Sequence, residues 1–243
     1  MSDCSLVPNP FPQLTGDAVH VWKCTLALAG SELEDRLHVL NSEERGQARQ
    51  FKVDRPRTQF IVARSTLRIL LGKYLDIDPR AIELGTGEHG KPHLLNSPFQ
   101  VEFNVSHSHE IALFAFCRNH PVGIDVEWLG RKVTHADIAR RFFSLREREQ
   151  LERLLEEERH NAFLECWTRK EAYMKAQGFG LSRDPRTFSV LFSPPENAAL
   201  LEDHHDPTAP GAWAITALRP HPEYRAALCS RSPLPPGDLV CHW

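Results

Sequence analysis

An internal repeat in the helical segments restricts the folds that this chain can adopt. Ser42-Glu-Glu-Arg precedes Phe60-Ile-Val-Ala-Arg-Ser65 in the first half, and Ser144-Leu-Arg-Glu precedes Phe163-Leu-Glu-Cys-Trp-Thr168 in the second half at a similar spacing. A helix pair that recurs in this way predicts two similar α+β lobes related by a pseudo-twofold axis, each a small sheet packed with helices. A chance likeness between two amphipathic helix pairs is the alternative interpretation.

Short β patterns lie on both sides of the predicted helices. The runs VEFNVS and IALFAFC, which begin at Val101 and Ile111, predict a hairpin, and further strands are predicted over 188–192, 213–218 and 224–229. The segment SPLPPGD near the end is rich in proline and predicts a mobile or extended tail. A turn near Pro121 divides the two sets of elements, so we expect an N-terminal lobe over 1–121 and a C-terminal lobe over 122–243.

Composition excludes several classes of protein. The net charge of −3 gives no global basic field, so we expect no nucleic-acid partner. No apolar run approaches the length of a membrane span, and the N-terminus does not have the pattern of a signal peptide. The six cysteines are scattered without CxxC spacing, which predicts a reduced, cytoplasmic protein without a disulfide framework or a zinc site.

Two carboxylates alternate in the segment Gly123-Ile-Asp-Val-Glu. Alternate side chains of a strand share a face, so Asp125 and Glu127 are predicted to project together while Ile124 and Val126 face the core. Neighbouring carboxylates repel each other unless a cation or a proton lies between them. The segment therefore indicates either a metal site or an ordinary solvated strand face.

A second motif follows on the long predicted helix. Trp167, Glu171 and Lys175 are spaced at i, i+4 and i+8, which places them on one stripe of a helix. A Glu–Lys surface pair is the simple interpretation. If Trp167 is buried, however, Glu171 borders a cleft and could join Asp125 and Glu127 around Mg²⁺, which binds carboxylates together with substrate phosphates.

The segment Phe103-Asn-Val-Ser-His-Ser ends one strand of the predicted hairpin. A hydroxyl, an imidazole and free backbone N–H groups at a strand end suit a phosphate contact. Adjacent strand residues point to opposite faces, and the chain contains no G-x-S-x-G motif, so Ser106 and His107 do not favour a serine hydrolase. Metal binding by His107 and His109 is disfavoured because no further ligands with a known spacing are present.

Basic residues supply weaker signals. Lys91 lies between Gly90 and Pro92, where it could meet a nucleotide or simply form a turn. Arg57 and Arg64 lie two helical turns apart on one face, where they could bind a phosphate or be solvated.

In this order along the chain, these motifs closely resemble the Sfp-type 4'-phosphopantetheinyl transferases. The resemblance runs from about Ser42 to Gly180 and is most specific in five segments. They are GKP at 90–92, FNVSHS at 103–108, GIDVE at 123–127, FFSLRE at 142–147 and WTRKEAYMKAQGFGL at 167–181. The resemblance implies two α+β lobes with the active site in the cleft between them.

The resemblance also implies roles for individual residues. The Mg²⁺ ligands would be Asp125, Glu127 and Glu171. The coenzyme A contacts would be Arg57, Lys91, Ser106, His107, Lys170 and Lys175. Among these, Arg57 and His107 would contact the 3'-phosphate and Lys175 the pyrophosphate. Either Glu171 or Glu147 would take the proton of the attacking serine, and Lys175 would assist the leaving group.

One segment departs from the family pattern. Many relatives have lysines before the first long helix that help to bind the 3'-phosphate, whereas Glu44 and Gln47 stand in the comparable stretch here. Arg45 or Arg49 could compensate for the missing charge.

The implied activity is transfer of 4'-phosphopantetheine from coenzyme A to a serine of an apo acyl or peptidyl carrier protein, by a chain expected to be monomeric. A basic helix would receive the acidic carrier, through Arg140, Arg141, Arg146 and Arg148. Alternatively, Glu147, Glu149 and Glu152 neutralise Arg146 and Arg148. Two other functions stay open, a non-catalytic coenzyme A or nucleotide-binding module and a metal-dependent phosphohydrolase.

Overall fold

The computed structural model describes residues 8, 10–87, 91–95, 101–131, 134–235 and 237–243. Gly90 of the Gly-Lys-Pro motif lies outside the described residues, whereas Lys91 lies within them. The structure is of the predicted α+β class, with several small sheets packed with helices. None of the described helices is long and apolar enough to cross a membrane.

The elements of the first half run from strand to helices to hairpins. They are β1 (Val19–Thr25), α1 (Gly30–Val39), α2 (Ser42–Gln50), α3 (Asp54–Leu75), β2 (Leu84–Thr86), β3 (Pro92–Leu94), β4 (Val101–Ser108) and β5 (Ile111–Arg118). The second half contains β6 (Gly123–Trp128), α4 (His135–Phe142), α5 (Leu145–Glu152), α6 (Glu156–Gln177), β7 (Phe188–Leu191), β8 (Ala199–Asp203), α7 (Ala209–Ala212), β9 (Trp213–Leu218), β10 (Tyr224–Arg231) and β11 (Leu239–His242).

The two halves repeat one topology. In the first half, β5 lies between β1 and β4 and is antiparallel to both, and in the second half β10 lies in the same way between β6 and β9. Each half also has a small hairpin, β2–β3 or β7–β8, after its long helix. The predicted pair of similar α+β lobes is therefore confirmed.

The C-terminal strand departs from the expected extended tail. β11 pairs in parallel with β1, in the register Val19↔Leu239, and so completes the first sheet in the order β11-β1-β5-β4. Four residues after a proline-rich segment carry too short a pattern to predict this long-range pairing. The division into lobes at residue 121 stays a prediction, and β11 joins the sheet of the first half.

The two helix pairs also begin with the same type of N-terminal cap. Asn41 caps α2 in a capping box with Glu44, and Ser144 caps α5 in a capping box with Glu147. The long helices that follow, α3 and α6, are each 22 residues long.

A buried cluster between the two sheets joins the lobes. It combines Val21 and Leu113 of the first sheet with Ile124, Val126 and Leu228 of the second. On its other side β6 packs tightly against α6, because a Cβ at Gly123 would lie only 2.0 Å from the carbonyl oxygen of Ala172. This close approach brings the carboxylates of β6 next to those of α6.

Candidate active site

A cavity of about 630 Å³ opens between the lobes beside α3 and α6. Phe51, Pro56 and Phe60 of the first lobe form an apolar wall. The polar wall contains Ser106 and His107 from β4, Asp125 and Glu127 from β6, and Glu171 and Lys175 from α6. The cavity thus brings together predicted site residues from three separate segments of the chain.

Asp125 lies at the base of this polar wall and is only 5% exposed. Its Oδ1 accepts hydrogen bonds from Lys175 Nζ at 2.6 Å and from Ser106 Oγ at 2.8 Å. Its Oδ2 is buried and has no hydrogen-bond partner among the residues that the structure describes. A buried carboxylate oxygen without a donor is costly, and a cation is one means of satisfying it.

Glu127 lies two residues further along the same face of β6. Its Oε2 accepts a hydrogen bond from Ser108 Oγ at 3.0 Å, and its Oε1 accepts one from Arg131 Nη1 at 2.6 Å. Burial raises the pKa of Glu127 and the charge of Asp125 raises it further, whereas Arg131 and Ser108 lower it.

Glu171 faces these two carboxylates from α6. Burial raises the pKa of Glu171 from 4.5 to about 7, and the charge of Asp125 adds to this effect while Lys175 opposes it. Loss of water around a carboxylate disfavours its ionised form, and like charges nearby disfavour it further. The cavity thus holds three acidic groups that repel one another when all are ionised.

The three carboxylates of the cavity are a candidate site for a metal ion. Within the described part of the chain, no three His, Cys, Asp or Glu side chains are arranged to hold a metal ion as they stand. The chemistry of the donors nevertheless suits a hard divalent cation, because all three residues offer carboxylate oxygens and Asp125 Oδ2 is unpaired. Assignment of Asp125, Glu127 and Glu171 as metal ligands therefore stays a prediction.

Lys175 and the Ser-His pair border the carboxylates. Lys175 is about a quarter exposed, and its Nζ also donates to Ser106 Oγ at 3.1 Å and to the carbonyl oxygen of Ile124. The Ser106 hydroxyl donates to Asp125 and not to His107, which is exposed at the rim of the cavity. The imidazole of His107 therefore does not activate Ser106 in this arrangement.

Lys91 has a different environment from the one predicted. Its Nζ donates to the carbonyl oxygens of Lys175 at 2.9 Å and Val122 at 3.3 Å, so it bridges the two lobes from behind the cavity wall. Burial lowers the pKa of Lys91. Its neighbour Pro92 lines the cavity, and Lys91 does not. A coenzyme A contact by Lys91 would need its side chain to leave these carbonyl groups.

Glu147 and Lys170 do not line the cavity in this structure, and their predicted roles stay predictions. Each side chain is only 1% exposed, and Lys170 Nζ donates to both carboxylate oxygens of Glu147, at 3.0 and 2.8 Å. Glu147 also accepts from the backbone of Ser144 and Val190, and Lys170 donates to the carbonyl oxygen of Phe188. Lys170 precedes Glu171 by one position in α6, which turns its side chain about 100° around the helix axis, towards the core.

The first lobe contains a counterpart of this buried pair. Glu44, the capping-box residue of α2, pairs with Arg68 of α3 at 2.6 Å, just as Glu147 of α5 pairs with Lys170 of α6. Both glutamates thus cap one helix and anchor the next. This role accounts for Glu44 at a position where the family pattern has basic residues.

The two predicted phosphate-binding arginines of α3 also differ in whether they line the cavity. Arg64 lines the cavity, whereas Arg57 does not, and the buried Nε of Arg57 has no partner among the described residues. Arg64 Nε lies 3.7 Å from Glu44, so its charge is partly neutralised. Arg45 donates to the carbonyl oxygen of Leu40, and Arg49 is exposed.

Sequence reasoning missed two contacts to the acidic group. Ser108 could have been found, because it alternates with Ser106 on one face of β4. Arg131 follows a turn after β6, and no periodic pattern connects it with Glu127.

Comparisons with known proteins identify the family to which the chain is related. A model of the 4'-phosphopantetheinyl transferase superfamily matches residues 121–229, and a model of the N-terminal part of 4'-phosphopantetheinyl transferases matches residues 25–118. The chain is 35% identical over 227 residues to 4'-phosphopantetheinyl transferase HetI of Nostoc sp., which covers 91% of this chain and 92% of that protein. It is 31% identical over 216 residues to 4'-phosphopantetheinyl transferase Sfp of Bacillus subtilis, which covers 88% and 92%.

A solved structure of Thermotoga maritima holo-[acyl-carrier-protein] synthase has a TM-score of 0.36 and 22% identity, covering 46% of this chain and 62% of that one. This likeness is too slight to support a comparison of the folds. The sequence relationship to HetI and Sfp, by contrast, extends over most of each chain. This chain therefore belongs to the Sfp-type 4'-phosphopantetheinyl transferase family.

Proposed function

We propose that this protein transfers the 4'-phosphopantetheine group of coenzyme A to a serine hydroxyl of an apo acyl or peptidyl carrier protein. The observation that carries the proposal is the cavity in which Asp125, Glu127 and Glu171 face Lys175 beside an apolar wall. In such a cavity Lys175, and a cation held by the carboxylates, would offer positive charge to a pyrophosphate. The apolar wall would offer a surface for a pantetheine arm. The serine oxygen forms a bond to the β-phosphorus, the bond from that phosphorus to the bridging oxygen breaks, and adenosine 3',5'-bisphosphate leaves.

The residues that suit Mg²⁺ are Asp125, Glu127 and Glu171. When bound, the cation supplies charge neutralisation and polarisation at the pyrophosphate. The chain's own contribution is to keep these oxygens in a water-poor wall next to Lys175.

Lys175 provides the positive charge on the leaving side. Its ammonium already touches Asp125 and Ser106, and it is exposed enough to turn towards a phosphate oxygen. His107 at the rim and Arg64 on α3 are the cavity-lining basic groups that could meet the nucleotide. Arg57 and Lys91 would have to change their contacts to do so.

Glu171 is the better candidate for the group that accepts the serine proton. Its carboxylate lies in the cavity, and in the metal-free protein burial raises its pKa to about 7. Glu147 is buried and holds Lys170, so it can reach a substrate only if the core of the second lobe opens.

The proposed docking surface for the acidic carrier protein lies on α4 and α5. Glu147 points into the core and Glu149 pairs with Arg153, and among the described residues Glu152 forms no salt bridge with Arg146 or Arg148. Arg146 is exposed next to Leu145, which is 64% exposed. An exposed leucine beside Arg146, which forms no salt bridge among the described residues, suits an acidic helical partner.

We further propose that the protein works as a cytoplasmic monomer. Cys117, Cys166 and Cys229 are buried thiols that form no disulfide, which is typical of proteins from reducing compartments. Sedimentation analysis measures the oligomeric state directly.

Mass spectrometry of an apo carrier protein incubated with coenzyme A and Mg²⁺ tests the activity. We expect the carrier to gain one phosphopantetheine, and Asp125→Asn to reduce the rate at least about 100-fold. Asp78→Asn, a change to an exposed aspartate paired with Arg80, is the matched control and should keep the wild-type rate. Release of adenosine 3',5'-bisphosphate without any carrier would indicate a hydrolase. Coenzyme A binding without turnover on several carriers would indicate a binding module.

A further inference from the structure

Side chains of β4 pair with the backbone of β6 where the two lobes meet. Asn104, Ser106 and Ser108 alternate along β4 and all face β6. The backbone N–H of Ile124 donates to Asn104 Oδ1 at 2.8 Å, that of Val126 to Ser106 Oγ at 3.3 Å, and that of Trp128 to Ser108 Oγ at 3.1 Å. These three side chains, the β4 ladder, do what the backbone of a neighbouring strand does in an ordinary sheet.

Among the described residues, each of the two serines of the β4 ladder also donates a hydrogen bond to a carboxylate, and Asn104 does not. Ser106 Oγ donates to Asp125 Oδ1 at 2.8 Å, and Ser108 Oγ donates to Glu127 Oε2 at 3.0 Å. Each serine thus accepts from one residue of β6 and donates to the carboxylate of the preceding residue. Asn104 accepts from Ile124, which is preceded by Gly123, so it has no carboxylate to hold.

Because each serine hydroxyl takes part in both of these hydrogen bonds, its orientation is restricted. A serine hydroxyl has one proton and two lone pairs, so accepting a backbone N–H from a fixed direction limits where its proton can point. At Ser108 the proton points at Glu127, whose other oxygen is held by Arg131. The carboxylate of Glu127 is therefore held at both oxygens, and its position is tied to the backbone of β6.

We propose that Ser108 is a positioning residue that, together with Ser106, holds the Glu127 and Asp125 carboxylates in the orientation needed to bind a divalent cation. The inference rests on the proposed function of this cavity. It assigns Ser108, which does not line the cavity, a role through Glu127 rather than through the substrate. Outer groups that hold metal ligands commonly change metal affinity or activity by about 10- to 100-fold when they are removed.

A purely structural role is the competing explanation, in which the β4 ladder only joins the lobes. Asn104 separates the two explanations, because Asn104→Ala removes a backbone bond of the β4 ladder but no bond to a carboxylate. Ser108→Ala removes both bonds, and Ser108→Thr keeps a hydroxyl that can form both.

The test measures Mn²⁺ binding by electron paramagnetic resonance, with Mn²⁺ alone and with Mn²⁺ plus coenzyme A. We expect Ser108→Ala to weaken Mn²⁺ binding about tenfold or more. Ser108→Thr and Asn104→Ala should stay within about twofold of the wild type. Thermal unfolding should show similar losses for Ser108→Ala and Asn104→Ala, and amide exchange at Trp128 should become faster only in Ser108→Ala.

Three results would overturn the inference. The first is wild-type Mn²⁺ affinity in Ser108→Ala together with faster exchange at Trp128, which would leave Ser108 a structural role alone. The second is an equal loss of Mn²⁺ affinity in Asn104→Ala and Ser108→Ala. The third is a wild-type protein that binds no Mn²⁺ in either condition. Failure of the proposed function appears separately, as absence of carrier modification by wild-type protein, and it leaves the ratio of the Mn²⁺ affinities measurable.

Discussion

Replacing Glu171 with glutamine removes a charge that the folded protein holds at a cost. Glu171 lies in a cavity wall with Asp125 and Glu127, and its pKa is raised from 4.5 to about 7 by burial and by Asp125. Glutamine has nearly the same shape and carries no charge. We therefore expect Glu171→Gln to stabilise the metal-free fold while abolishing transfer.

The size of the effect follows from the pKa shift. One pKa unit corresponds to about 1.4 kcal/mol, so the shift of Glu171 sets an upper limit of about 3 kcal/mol. Partial exposure of the side chain reduces this value, and we expect about 1–3 kcal/mol. Because the pKa of the folded state is raised, wild-type stability is lost relative to Glu171→Gln as the pH rises from about 4.5 to 7, and the difference is constant above that range.

Urea unfolding at pH 5 and pH 8.5, with a chelator present, measures the difference. The advantage of Glu171→Gln in unfolding free energy should be small at pH 5 and reach its full value at pH 8.5. Glu196→Gln, which alters an exposed loop glutamate, is the control and should show no pH-dependent difference. Mg²⁺ and coenzyme A together should stabilise only the wild type, by about 2.7 kcal/mol at one hundred times the dissociation constant. Parallel pH curves for wild type and Glu171→Gln would refute the assignment of charge repulsion in this cavity.

Other parts of the structure make further predictions. Gly123→Ala should destabilise the fold by about 3 kcal/mol or more in thermal unfolding, because its Cβ would overlap the backbone of α6. Lys170→Met should cost about 3–5 kcal/mol by leaving Glu147 charged and unpaired in the core, and adding Glu147→Gln should recover part of that loss in urea unfolding. Arg146→Glu should raise the KM for an acidic carrier about tenfold at low salt without changing the KM for coenzyme A. Lys73→Glu makes the same charge change at an exposed position of α3 and should leave both KM values unchanged.

Local periodicity was enough to predict which side chains share a face. Asp125 and Glu127 alternate along a strand, and Glu171 and Lys175 are one turn apart on a helix, so each pair could be placed before any fold was known. The internal repeat likewise predicted two α+β lobes, since capping residues and helix lengths are local properties. These patterns identify the acidic residues of the cavity wall once β6 and α6 are known to pack together.

The pairing of charged side chains, by contrast, could not be predicted from local periodicity. Glu147 and Glu171 are both acidic residues of the motifs, yet one holds Lys170 inside the second lobe and the other faces the cavity. The spacing of a motif does not show which of two adjacent helical residues faces the core and which faces the cavity. Glu44 is a similar case, because its partner Arg68 lies on another helix.

The joint between the lobes is the clearest example of this difference. An alternation of Asn104, Ser106 and Ser108 is visible in the chain as a polar face of a strand, and nothing local says what lies opposite. Packing places β6 there and turns that face into donors and acceptors for Asp125 and Glu127. Periodicity depends only on neighbours along the chain and can be read from them, whereas pairing depends on long-range contacts that exist only after the two sheets have packed together.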